Sequence, residues 1–160
     1  MIKRLLTGVF ILAIIGAFIF IFTGNEKYKN SYTPQQNLNA PIEIPAKNII
    51  TIEEANSSDK PQVIMFYVDW CGYCRRFMPK FGEYAKIYSD KYSFVVVNCD
   101  KPENKPLVDK FHIVSFPSLF ISDNEINHHF AMHPAVTIDE KIFKEELESY
   151  MALKDKLHNK

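Results

Sequence analysis

Cys71 and Cys74 stand two residues apart in the stretch Trp70-Cys71-Gly72-Tyr73-Cys74. An apolar run, Val63 to Val68, leads into them, and apolar residues at helical spacing follow. A cysteine in the first turn of a helix faces unpaired backbone N–H groups and the positive end of the macrodipole. Both favour the thiolate, the reactive form of the side chain. Cys74 falls about one turn further on and can reach back to close a disulfide with Cys71. Gly72 is expected to let the backbone bend into that small ring.

Other uses of the pair are weaker. A structural zinc site needs four ligands, and only one further cysteine, Cys99, exists. Covalent haem attachment needs His directly after the second cysteine, and Arg75 stands there. A structural disulfide or two inert thiols remain as the plain alternatives. Cys99, closing the strand-like run Tyr92 to Asn98, reads as a small buried hydrophobe, with a third redox thiol as the sharper option. His128, His129 and His133 lack acidic or thiol companions at ligand spacing, so no metal site is expected.

Residues from about Ile49 to Ala152 resemble a thioredoxin-fold protein. Trp70-Cys71-Gly72-Tyr73-Cys74 matches that family's Trp-Cys-x-x-Cys, Pro79 its helix-kinking proline, and Phe116-Pro117 the pair that carries its cis-proline. The resemblance implies an α/β thioredoxin fold, a central mixed β-sheet flanked by helices. It implies catalysis by Cys71 and Cys74. Trp70, Gly72, Tyr73, Phe116 and Pro117 would shape the substrate groove. No cofactor is implied beyond the Cys71–Cys74 disulfide. Gly72-Tyr73 is similar to the dipeptide of periplasmic disulfide isomerases, while Asp69-Trp70 is closer to thioredoxins and membrane-linked reductases. One departure stands out: the family's buried acid and its neighbouring lysine fall on Met65 and Val96 here. The usual proton acceptor for the second cysteine is therefore absent. Asp69 is expected to point away from the interior, and Arg75 and Arg76 to be solvated.

The elements that must position the pair follow from pattern. Thr51 and Glu54 form a capping box that opens a short helix. Val63 to Val68 suits a central strand buried on both faces. Cys71 to about Ser89 is a helix with a buried stripe of Phe77, Phe81, Tyr84, Ala85 and Tyr88. Tyr92 to Asn98 is a strand, and Leu107 to Phe111 a helix. Leu119 to Ser122 and Glu125 to Met132 are strands joined by a turn at Asp123-Asn124. Thr137 and Glu140 form a second capping box for a last helix whose stripe is Ile142, Phe143, Leu147 and Tyr150.

Leu5 to Phe22 is 18 residues without a charge, preceded by Lys3 and Arg4. As a helix it would run about 27 Å, near the thickness of a bilayer's hydrocarbon core. The basic residues ahead of it place the remainder outside the cytoplasm. The reading is a single N-terminal transmembrane helix within residues 1–23, with a cleaved signal as the alternative. Residues 24–47 are rich in Asn, Gln, Lys and Pro and read as a flexible linker, with Ile42 and Ile44 as a possible edge strand. Residues 48–153 are the thioredoxin-like domain, and 154–160 a charged, frayed tail.

The 19 basic and 19 acidic residues cancel, so no basic face is implied and nucleic acid is an unexpected partner. The expected protein is a single-pass protein of the inner cell membrane with its domain on the periplasmic, extracytoplasmic side. It would exchange disulfides with exported proteins, as a reductase served by a membrane or exported redox partner. A disulfide oxidase or isomerase, and a non-catalytic binding module, are the competing functions.

Overall fold

The computed structural model describes residues 40–45 and 47–158. The expected membrane segment, residues 5–22, and most of the linker lie outside the described residues. Among the described residues no helix is long and apolar enough to cross a membrane.

The domain is built on a five-stranded mixed sheet. Its strands are β1 (Ile49–Ile50), β2 (Gln62–Tyr67), β3 (Ser93–Asn98), β4 (Ser118–Asp123) and β5 (His128–Ala131), in the order β1-β3-β2-β4-β5. β1 and β2 run parallel to β3, while β4 is antiparallel to both β2 and β5. All six residues of β2 are buried, as its unbroken apolar run requires of a central strand.

Four helices cover the sheet: α1 (Ile52–Asn56), α2 (Gly72–Tyr88), α3 (Lys105–Lys110) and α4 (Glu140–His158). The pleat divides the core between them. Val63, Met65 and Tyr67 join Phe94, Leu119 and Ile121 in one cluster with Phe77, Phe81 and Tyr84 of α2 and Phe143 and Leu147 of α4. Ile64 and Phe66 face the other way, with Val95, Val97, Ala55 of α1 and Phe111 after α3. Tyr84 stacks on Phe143 with ring centroids 4.0 Å apart, which locks α2 against α4. Pro79 lies inside α2, where it removes one backbone donor.

The Thr51–Glu54 capping box forms as expected, with Thr51 N–H donating to the Glu54 carboxylate at 2.8 Å. The second box does not form. Pro134 opens a short 3-10 turn, Pro134–Thr137, and the Thr137 hydroxyl donates to the Pro134 carbonyl within it. The Asp139 carboxylate instead accepts from Lys141 N–H at 2.9 Å, and α4 starts at Glu140. The last strand is also shorter than expected. Asp123 accepts from Glu125 N–H, Asn127 takes a left-handed φ of 48°, and pairing begins only at His128. His133 therefore lies beyond the strand, where its ring nitrogen accepts from Ala135 N–H.

Two boundaries move. The expected charged tail is helical through His158, because Lys154 meets Asp123 at 2.8 Å and Glu125 at 2.9 Å, and His158 meets Glu125 at 2.9 Å. At the other end, Ala40–Pro45 of the expected flexible linker is docked on the domain. Ile42 is only 7% exposed and belongs to the same cluster as Cys71 and Cys74. Pro45 sits over Gly82 of α2, where an added Cβ would lie 2.6 Å from the proline. This strap forms no strand, so Ile42 and Ile44 act by packing and not by sheet pairing.

Candidate active site

The redox pair sits where β2 hands over to α2, at the carboxyl end of the central strand. Cys71 N–H donates to the Val68 carbonyl at 3.1 Å, closing a tight turn with Asp69 and Trp70 at its centre. Cys71 is the N-cap of α2, one position earlier than expected, and its Sγ accepts from Cys74 N–H at 3.1 Å. A backbone donor of the first helical turn thus points at the sulfur that becomes a thiolate. The two cysteines form a disulfide with Cα atoms 5.2 Å apart. Cys71 is 5% exposed and Cys74 fully buried, so an attacking partner reaches Cys71 first.

Gly72 opens the helix with ordinary backbone angles, and a Cβ there would meet only Arg76 at 3.9 Å. The ring between the cysteines therefore does not depend on glycine's conformational freedom, contrary to expectation. Around the pair stands an apolar rim. Trp70 is 59% exposed and Tyr73 69%. Phe116 meets Trp70 edge to face, with centroids 6.0 Å apart. The Phe116–Pro117 peptide is cis. Ser118 pairs with Phe66, which sets Pro117 at the same end of the sheet as Cys71. Val114, unmarked by any motif, is 93% exposed in the loop leading to Pro117.

Met65 and Val96 are register partners on adjacent strands, and Met65 is fully buried. Apolar side chains thus occupy both positions beneath the pair. Asp69 does not swing away as expected. It is half-buried, and its carboxylate accepts from Ile42 N–H at 2.8 Å and from the Asn98 amide at 2.9 Å. Arg75 is not a solvated residue either. Its guanidinium donates to the Asp69 carbonyl at 2.6 Å and to the Ala40 carbonyl. Arg76 lies over the Tyr73 ring at 4.5 Å. Asn98 also accepts from Asp100 N–H at 2.9 Å, and the Asp100 carboxylate faces the Trp70 indole N–H at 3.4 Å. Ile42, Asn98 and Asp100 carried no local signal, because each acquires its role only when β2, β3 and the strap converge.

Cys99 follows β3, its N–H donating to the Tyr67 carbonyl. Burial pushes its thiol up to about 11. His129 packs on Phe111 with centroids 4.5 Å apart, and burial holds it below the usual imidazole value. Among the described residues no three His, Cys, Asp or Glu side chains are grouped to hold a metal ion.

The sequence pattern of the thioredoxin family matches residues 50–151. The chain is 35% identical over 82 residues to the chloroplastic thioredoxin-like protein HCF164 of Oryza sativa subsp. japonica, covering 51% of this chain and 31% of that protein. It is 35% identical over 69 residues to thioredoxin of Alicyclobacillus acidocaldarius, covering 43% of this chain and 64% of that one. The matched stretch spans about a third of the length of the rice protein. In three dimensions, thioredoxin O1 of Arabidopsis thaliana in its oxidised state superposes with a TM-score of 0.50 at 21% identity, over 64% of this chain and 96% of that chain. That likeness establishes the fold.

Proposed function

The chain belongs to the thioredoxin family; from that premise we propose that it is a thiol–disulfide oxidoreductase and works as a membrane-tethered reductase of exported proteins. One observation carries the chemistry: the Cys71 sulfur caps the helix and accepts the Cys74 N–H, next to a buried partner cysteine. In the reducing direction, the Cys71 thiolate attacks one sulfur of a substrate disulfide. A mixed disulfide forms and the other substrate sulfur leaves as a thiolate. Cys74, deprotonated, then attacks the Cys71 sulfur, so the Cys71–Cys74 bond forms and the second substrate thiolate departs. Two electrons pass to the substrate, and a dithiol partner at the membrane returns the pair to its reduced form. With Met65 and Val96 beneath the pair, neither of these two positions offers a carboxylate to collect the Cys74 proton, and water is the proposed acceptor.

The membrane tether rests on Leu5 to Phe22 and the basic residues before it. Trp70, Tyr73, Phe116 and Pro117 are proposed to receive an extended substrate segment. Gly72-Tyr73 favours the second reading, a disulfide oxidase or isomerase. Titration of the full-length chain against glutathione separates the two. A potential near about −270 mV fits the reductase, and one near about −120 to −180 mV the oxidant. A Cys74→Ala variant should trap exported proteins as mixed disulfides on Cys71. Recovery of none would remove exported proteins as substrates.

A further inference from the structure

Resting on the exchange chemistry above, we propose that Asp69 is a positioning residue for the redox pair, and that the strap Ala40–Pro45 fixes it in place. Asp69 lies at the centre of the turn that delivers Cys71. All three of its acceptor oxygens are engaged: one carboxylate oxygen by Ile42 N–H, the other by the Asn98 amide, and the carbonyl by Arg75. Asn98 continues the chain of contacts through Asp100 to the indole of Trp70, the other central residue of the turn. Arg75, adjacent to Cys74, also holds the Ala40 carbonyl. The far end of the strap is seated by Pro45 against Gly82. The strap therefore closes a ring of contacts around the loop from which Cys71 emerges.

The consequence is electrostatic as well as geometric. A carboxylate left to itself beside a turn swings into water, where its field is screened. The strap holds this one on the turn, two residues before Cys71 in sequence, while the Arg75 guanidinium is held on the carbonyls of Asp69 and Ala40 and not on the carboxylate. A fixed like charge disfavours the thiolate. Reduced protein is thereby destabilised relative to the disulfide, and the pair becomes a stronger reductant than the same motif with the strap undocked. The segment that tethers the domain also sets its redox poise.

The test is the equilibrium constant at fixed pH for oxidation of the reduced full-length chain by glutathione disulfide, which forms the Cys71–Cys74 bond, releases two glutathione thiols, and is larger for a stronger reductant. Asp69→Asn removes the charge and sets two amide groups against each other at Asn98. Ile42→Pro removes the strap's N–H and leaves the carboxylate. Each variant should lower the constant at least threefold, about 14 mV for two electrons. The double variant Asp69→Asn/Asn98→Asp restores the hydrogen bond with the charge on the neighbouring residue, and should return to within threefold of wild type. A constant for Ile42→Pro or Asp69→Asn within threefold of wild type, or raised, overturns the proposal. So does a double variant as displaced as the single one. If Asp69→Asn does not fold, Ile42→Pro alone decides. A wild-type chain that forms no Cys71–Cys74 disulfide in the same titration counts against the exchange chemistry and leaves the ring of contacts unaddressed.

Discussion

Cys99 carries the same thiol as Cys71 in a different setting. Cys71 has a helix N–H aimed at its sulfur, whereas Cys99 is half-buried after a strand, its sulfur near the Val97 carbonyl at 3.7 Å. An acceptor offers a thiolate nothing, and burial raises the pKa to about 11. At pH 8 the two therefore differ in thiolate fraction. Iodoacetamide added to the reduced protein should label Cys71 within minutes and reach Cys99 only once the chain is unfolded, as peptide mass mapping will read. Equal labelling of both in the native state would contradict this account. The reactive pair was legible because its spacing is local. Sequence alone turns Asp69 away from the interior and leaves Arg75 solvated, because the groups that bind them, Ile42 and Ala40, lie 27 and 35 residues away in the chain.

At the scale of elements, the strap was the least legible part. Ile42 and Ile44 stand in a Pro- and Asn-rich stretch without periodicity, which resembles a linker on composition. The matching signal lay elsewhere, in Gly82, a glycine among the aromatic residues of the α2 stripe. The bare backbone there is the notch that Pro45 fills. Gly82→Ala illustrates the competition. Alanine gains about 1 kcal/mol of helix propensity. Its Cβ, however, would lie 2.6 Å from Pro45, and overpacking of this kind costs about 1–3 kcal/mol. Net loss of stability, or a strap newly open to proteolysis near Pro45, is the expected outcome in urea unfolding and limited digestion. A more stable protein with an intact strap would show that Pro45 yields freely. The three central strands, by contrast, are legible to within a residue, since β2 and β3 announce themselves by unbroken apolar runs, whereas the two-residue β1 carries no pattern and β5 is cut short by the turn before it. The last helix was misjudged at both ends, where Pro134 fixes a 3-10 turn before it and acidic partners from the β4–β5 turn extend it through His158.

The whole molecule should answer to pH on two sides. Burial raises Tyr92 and Tyr150 above the ordinary tyrosine value, and raises Cys99 to about 11. The folded state holds these protons more tightly than the unfolded one. Stability from these groups is fully present below pH 9 and is lost as pH climbs through the raised values. On the acid side, burial opposes ionisation of Asp123, but bonds from Lys154, Tyr150 and Glu125 N–H outweigh it and hold the carboxyl below 3.8. Its contribution is present above that value and lost as pH falls below it. His129, held below 6.5, adds a loss that begins nearer neutrality. Urea midpoints should form a plateau between about pH 7 and 9 and decline on both sides. A midpoint unchanged from pH 8 to 11 would sever burial of these groups from stability. The strap, finally, gives the domain an uneven mechanical profile. Tension on the chain ahead of Ala40 enters at the redox pole, through the Arg75 and Ile42 contacts taken one after another, and peels them before any strand is loaded. At the opposite pole Lys154 rivets α4 to Asp123. A pull from that side would thus loosen the turn behind Cys71 while the sheet stays whole, so that load is felt by the chemistry before it is felt by the fold.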